Sequence, residues 1–264
     1  MSDYERNVAT APFGQTLGRA GTVAVDEGLR AYMLRIYNFM ILGLAITGLA
    51  ELGTYMLSVT TDPSLAALKM RDGLMLTAFG KALFVSPLKW VVIFAPLGLV
   101  FLLSFGIERM RPATAQIVFW IYAALVGVSL GSIFMVFTHT SIVRVFFITA
   151  ASFGALSLWG YTTQRDLTGM GSFLLMGLFG VILASIVNLF MASSALQFAI
   201  SVIGVLVFAG LTAWDTQRLK SEYLYGAMDG EVAERSAIIG ALSLYLNFIN
   251  LFTLLLQLLG QRDE

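Results

Sequence analysis

Cysteine is absent from the 264 residues and histidine occurs once, which excludes every disulfide and most metal sites built on thiolate or imidazole. Charge is scarce too. Asp, Glu, Lys and Arg make up 12% of the chain, against roughly 25% in an average soluble domain. The 16 acidic and 16 basic side chains cancel, so no net field is left to attract nucleic acid. Gly80-Lys81 lacks the glycine spacing and the following Ser or Thr of a phosphate loop, and HExxH does not occur. The last apolar run, Ile238 to Leu259, holds no lysine for a retinal Schiff base. Nothing in the chain points to an enzyme. The first 35 residues carry Arg6, Arg19, Arg30 and Arg35 and no short apolar core before a cleavage site. Residues 1–35 therefore read as a cytoplasmic tail rather than a signal peptide.

What the chain has in abundance is apolar surface: 58% of its residues are hydrophobic and its mean hydropathy is +0.83. A bilayer core about 30 Å thick needs ~20 apolar residues in helix, because unsatisfied backbone groups are prohibitive in lipid. Seven stretches meet that need: Asn38 to Ser58, Trp90 to Ile107, Thr114 to Phe137, Val145 to Tyr161, Ser172 to Met191, Leu196 to Trp214 and Ile238 to Leu259. The expectation is an all-α polytopic protein, with a seven-helix domain over residues 36–260 and a C-terminal tail over 261–264. The long connection from Val59 to Lys89 mixes Leu and Phe with Lys69, Arg71 and Lys81, which suits an interfacial amphipathic segment or a short hairpin. Ten of the lysines and arginines fall on the N-terminal side of the expected membrane and six on the other. That bias places the N-terminus in the cytoplasm.

Small residues mark where helices approach closely in lipid. Gly127 with Gly131, and Gly180 with Ala184 and Asn188, are expected packing seams. In the seventh span Gly240, Ser243, Asn247, Asn250 and Gln257 share one helical face, a stripe unsuited to lipid. The last helix should therefore lie inside the bundle, with the stripe shielded and Phe248 more open to lipid. The bland reading of the stripe is interhelical hydrogen bonding alone.

Two carboxylates fall in or at the edge of a span, Glu51 and Asp215, and an ionisable group there should face a cavity or a partner. Glu51 shares a face with Gly43, Thr47 and Thr54. It is read either as a functional acid or as one bonded to a neighbouring helix. Asp215 is read either as a site residue or as an interfacial charge near Arg218 and Lys220. His139 sits in a short loop and is expected to be exposed and silent, while Arg144 and Arg165 anchor the two ends of the fourth span.

Four segments together resemble the Bax inhibitor-1 (transmembrane BAX inhibitor motif) family. They are Tyr32 to Asn38 before the first span, Gly154 to Thr163 in the fourth, Ala213-Trp214-Asp215-Thr216-Gln217-Arg218 closing the sixth, and Leu244 to Phe252 in the seventh. The resemblance runs from Tyr32 to Leu259 and is bacterial in flavour, which implies the inner membrane. It also implies seven helices around a central last helix, and a calcium leak controlled by protons through paired aspartates. One aspartate matches Asp215, but the other position is Asn247 here. An Asp–Asn pair has a single titrating member, so the pH switch that a coupled carboxylate pair would supply is in question. The implied partners are the bilayer, calcium ions and protons. Under the alternative of a non-conducting interaction protein, the partner is a membrane protease or another membrane protein. No organic cofactor is implied.

Overall fold

The computed structural model describes residues 13–71, 74–226 and 230–263, with the backbone alone for 13–26, 71 and 108. The first twelve residues of the expected tail, Arg6 among them, lie outside the described residues. Among the described residues the chain is almost wholly helical, and seven helices are long and apolar enough to cross a membrane. The expectation of a seven-span α-helical membrane protein therefore holds. Helix α1 covers Phe13–Ser58, α3 Leu88–Gly106 and α4 Pro112–Leu130, the last extended by a short α5, Ile133–Val136. Helices α6 (His139–Thr162), α7 (Thr168–Met191), α8 (Ser194–Tyr225) and α9 (Gly230–Leu259) complete the bundle.

The long connection resolves into three short antiparallel strands and a two-turn helix. Strands β1 (Val59–Thr60), β2 (Leu68–Arg71) and β3 (Leu74–Leu76) form one sheet in the order β1-β3-β2, and α2 (Ala78–Phe84) follows, capped by Thr77. The hairpin alternative is the closer of the two readings. On the same side of the bundle residues 261–263 are tied to the junction of α5 and α6. The amide of Asp263 donates to Val136 O, that of Thr138 to Gln261 O, and that of Gln261 to Ser141 Oγ.

The N-terminal segment joins the first span without a break, α1 running from Phe13 to Ser58. The reason lies in Leu29, Tyr32, Met33 and Ile36, spaced i, i+3, i+4, i+7 and all buried. This stripe packs against the start of α9 and the end of α8: Tyr32 shares a 2.8 Å hydrogen bond with Ser236 and stacks on Tyr223.

In lipid, hydrophobic burial does little to hold helices together, so close backbone approach counts for more. The Gly127/Gly131 seam is where α4 meets α1. A Cβ at Gly127 would run into the Thr47 carbonyl, and one at Gly131 into Thr54. Gly160 of α6 likewise rests on the backbone of Ala213 in α8. The second expected seam is one only in part: a Cβ at Gly180 of α7 would meet nothing within 4 Å, whereas Asn188 at its far end bonds Gln197 of α8. Helix α7 meets α8 earlier in its length, through Gly171 on Trp214 and Leu174 on Gly210.

Helix α9 packs against α1, α4, α6 and α8. It is the most enclosed span, with 61% of its most apolar stretch buried against 39% or less in the others. Its deepest face is apolar and aromatic rather than the polar stripe. Tyr245 is fully buried, with Phe119 and Tyr122 edge-on to it, and Phe248 is 3% exposed against Phe146 and Phe153. The expectation that Phe248 faces lipid is thus overturned: the ring fills the space between α9 and α6, and the polar stripe borders a cavity.

Candidate functional site

Helices α8 and α9 run antiparallel in close contact, Gly240 leaving room for Leu219 and Gly204 for Leu254. Asp215 does not close its helix, as the hydropathy pattern suggests, because α8 continues for ten more residues to Tyr225. That extension brings it level with Asn247. Asn247 Nδ2 donates to Asp215 Oδ2 at 2.7 Å, and Arg218 Nη2 holds Oδ1 at 2.9 Å. Each carboxylate oxygen thus has its own partner, one neutral and one cationic. The Asp215 side chain is 9% exposed, whereas that of Arg218 is 36% exposed. The guanidinium also lies 5.1 Å over the Trp214 ring and approaches Glu222 and Ser243.

These groups border a cavity of about 480 Å³ between α3, α7, α8 and α9. Its polar wall is Asp215, Arg218, Ser243, Asn247 and Asn250, and its apolar wall comes from Leu97 of α3 and leucines of α7. Asp215 and the stripe residues Ser243, Asn247 and Asn250 are therefore brought to one place. Within it Asn250 Nδ2 is occupied by Leu246 O at 2.8 Å. Gln257, also on the stripe, belongs elsewhere. Its Oε1 accepts from Gln197 Nε2 and Ser201 Oγ in an amide cluster that Asn188 extends.

Glu51 is not part of this site. It is 7% exposed and lines a separate cavity of about 270 Å³, and its Oε1 has no hydrogen-bond partner among the described residues. A bond from that oxygen to a neighbouring helix, the structural alternative for Glu51, is therefore not found. Thr47, on the same face, is fully used. It lies 2.9 Å from both Gly43 O and Ala123 O and 2.6 Å from Tyr245 OH. Its single proton goes to a carbonyl, so Tyr245 donates to it.

Three features go beyond what sequence reasoning finds. Arg218 reads there as an interfacial neighbour of Asp215, yet its i+3 position from Asp215 and i+4 from Trp214 are the spacings that make side chains meet. A directed hydrogen-bond chain runs from Tyr37 OH to Ser157 Oγ at 2.5 Å, to Thr216 Oγ1 at 2.9 Å and on to Thr212 O at 2.8 Å. It joins α1, α6 and α8 beside Asp215. The Tyr245–Thr47 contact has no sequence signal, because its partners are 198 residues apart. His139 is exposed as expected, although its ring rests against Tyr55 and Phe134.

Seven apolar helices enclosing a carboxylate held between an amide and a guanidinium define a multi-pass membrane protein with a buried polar site. A family model described as "Inhibitor of apoptosis-promoting Bax1" matches residues 29–264, and the chain belongs to this Bax inhibitor-1 family. It is 42% identical over 237 residues to the inner membrane protein YbhL of Escherichia coli, covering 89% of this chain and 93% of that one. Uncharacterized proteins of Rickettsia prowazekii and Caulobacter vibrioides are each 45% identical over 264 residues, across the full length of both chains.

Proposed function

We propose that this protein is a cation leak in a bacterial inner membrane, with calcium as the ion passed and Asp215 as the residue that gates it. The observation that carries the reading is the position of Asp215: an enclosed carboxylate in the wall of a cavity, each oxygen bound by a different neighbour. While Arg218 balances its charge, a cation gains little there. Arg218 is the more exposed partner, and its withdrawal along Trp214 leaves a carboxylate beside the side chains of Ser243, Asn247 and Asn250. Calcium takes such oxygen-rich surroundings. With Asn247 in place of a second aspartate, the native gate has one titrating member and responds to pH less steeply than a coupled pair. Glu51 is a second acidic residue in the same bundle. The N-terminus lies in the cytoplasm, as the lysine and arginine distribution favours, and the inner-membrane placement follows the name of the YbhL relative. The role is not enzymatic.

The test is flux from liposomes holding the purified protein, with calcium compared to potassium and native protein to Asp215→Asn. Calcium-selective release that changes in the variant supports the reading. A tight seal to both ions overturns it in favour of a non-conducting protein that modulates a membrane protease or another membrane protein.

A further inference from the structure

Glu51 lines a crevice whose walls come mainly from α1, α6 and α9. Helices α1 and α6 each pack on α9 and leave a seam between them, which cavities of about 550 Å³ and about 270 Å³ occupy. The two share Leu44, Gly48, Phe146 and Phe248 in their walls. The walls of the smaller include Val143 and Phe147 of α6, which are 55% and 66% exposed on the apolar outer surface of the bundle. Inside it the carboxyl group of Glu51 is the one ionisable group among the lining residues, and Thr47, the one other polar side chain there, is already engaged. Five phenylalanine rings complete the walls: Phe134, Phe146, Phe147, Phe248 and Phe252.

We infer that this crevice is a binding site for a small organic cation with apolar substituents, reached from the bilayer, with Glu51 as its counter-ion. A carboxyl group that can ionise against a bound cation, set in an aromatic surround, is the chemistry that recognises alkylammonium groups, through charge and through the faces of rings. A metal ion is a poor fit, since a single carboxylate offers too few oxygens to replace its water. The inference is independent of the leak at Asp215, which lies in a different cavity.

Radiolabelled benzyltrimethylammonium, bound to the protein in phosphatidylcholine nanodiscs with empty discs subtracted, tests it. Saturable binding is expected, with affinity falling at least about tenfold in Glu51→Gln. A second variant keeps the acid and blocks the path. Gly48→Leu places its side chain in the crevice, where a Cβ meets nothing within 4 Å, so the fold is kept while binding is lost. The uncharged carbon analogue, neopentylbenzene, should compete far less well than unlabelled cation. Absent saturable binding, unchanged affinity in either variant, or equal competition by the uncharged analogue overturns the proposal.

Discussion

Asn247 and Asp215 meet through a 2.7 Å hydrogen bond although their positions look mismatched along the chain, one deep in the seventh span and the other at the apparent end of the sixth. Their meeting depends on the extra turns of α8 between Asp215 and Tyr225, which run beyond the hydrophobic stretch. The amide uses its donor on the carboxylate, so the contact suits an ionised acceptor and tolerates no second charge without rearrangement.

Asn247→Asp replaces that donor by a second carboxylate at nearly the same volume. Two carboxylates at this distance cannot both ionise cheaply, so the pair titrates as a coupled unit. Calcium flux from liposomes should then vary more strongly with pH between about 6 and 8 than in the native protein, at matched gradients. Adding Asp215→Asn should remove the gain. Superimposable pH profiles for native and Asn247→Asp proteins would show that the two positions are not a coupled gate.

Arg218→Gln removes the cation from Asp215 while keeping a hydrogen-bonding side chain. If the guanidinium competes with the permeant ion, calcium flux should rise several-fold, since close charges in a partly enclosed site interact by roughly 1 to 4 kcal/mol. Equal flux in native and variant liposomes would assign Arg218 to the interface alone.

The α1–α4 seam predicts a contrast between two glycines. Gly127→Val drives a side chain into the Thr47 carbonyl and should lower stability by about 1–3 kcal/mol. Gly180→Ala, with open space around it, should leave stability unchanged or raise it by about 0.5–1 kcal/mol, as replacing a mid-helix glycine does. Thermal unfolding in detergent measures both, and equal losses would contradict the packing described.

Much of this is legible in the residues. The seven spans follow from hydropathy and length, because the bilayer imposes both, and the Gly127/Gly131 spacing gives a true seam. Asp215 and the stripe residues Ser243, Asn247 and Asn250 can be picked out because polar groups in lipid are rare. What is not legible depends on three-dimensional context. The same small-residue pattern at Gly180 faces outward, since nothing local tells which side of α7 meets α8. Phe248 resembles a lipid-facing ring because apolar side chains suit lipid and protein interior equally. The helical stripe Leu29, Tyr32, Met33 and Ile36 is masked by Arg30 and Arg35, which lower the hydropathy of the segment below that of a span.

The Tyr245–Thr47 pair should respond asymmetrically to losing either partner. Tyr245→Phe deletes the donor and leaves Thr47 bonded to a backbone carbonyl, so the expected loss is about 0.5–1.5 kcal/mol. Thr47→Val instead strands a phenol hydroxyl in a fully buried position, with an expected loss of about 1–3 kcal/mol. Unfolding midpoints of the two variants and the native protein compare them. A larger loss for Tyr245→Phe would show that the hydroxyl is satisfied in some other way.

Helix α9 shares its surface with α1, α4, α6 and α8, all of which precede it in the chain. During synthesis those four helices enter the bilayer before their common neighbour has left the ribosome. Until it arrives, Asp215 has no Asn247 and Thr47 has no Tyr245, so polar groups await partners within the membrane. The contacts of α9 are therefore the last that the bundle can make. A chain ending before α9 would lack the amide that meets Asp215 and the phenol that meets Thr47, leaving polar groups unmatched inside the bilayer.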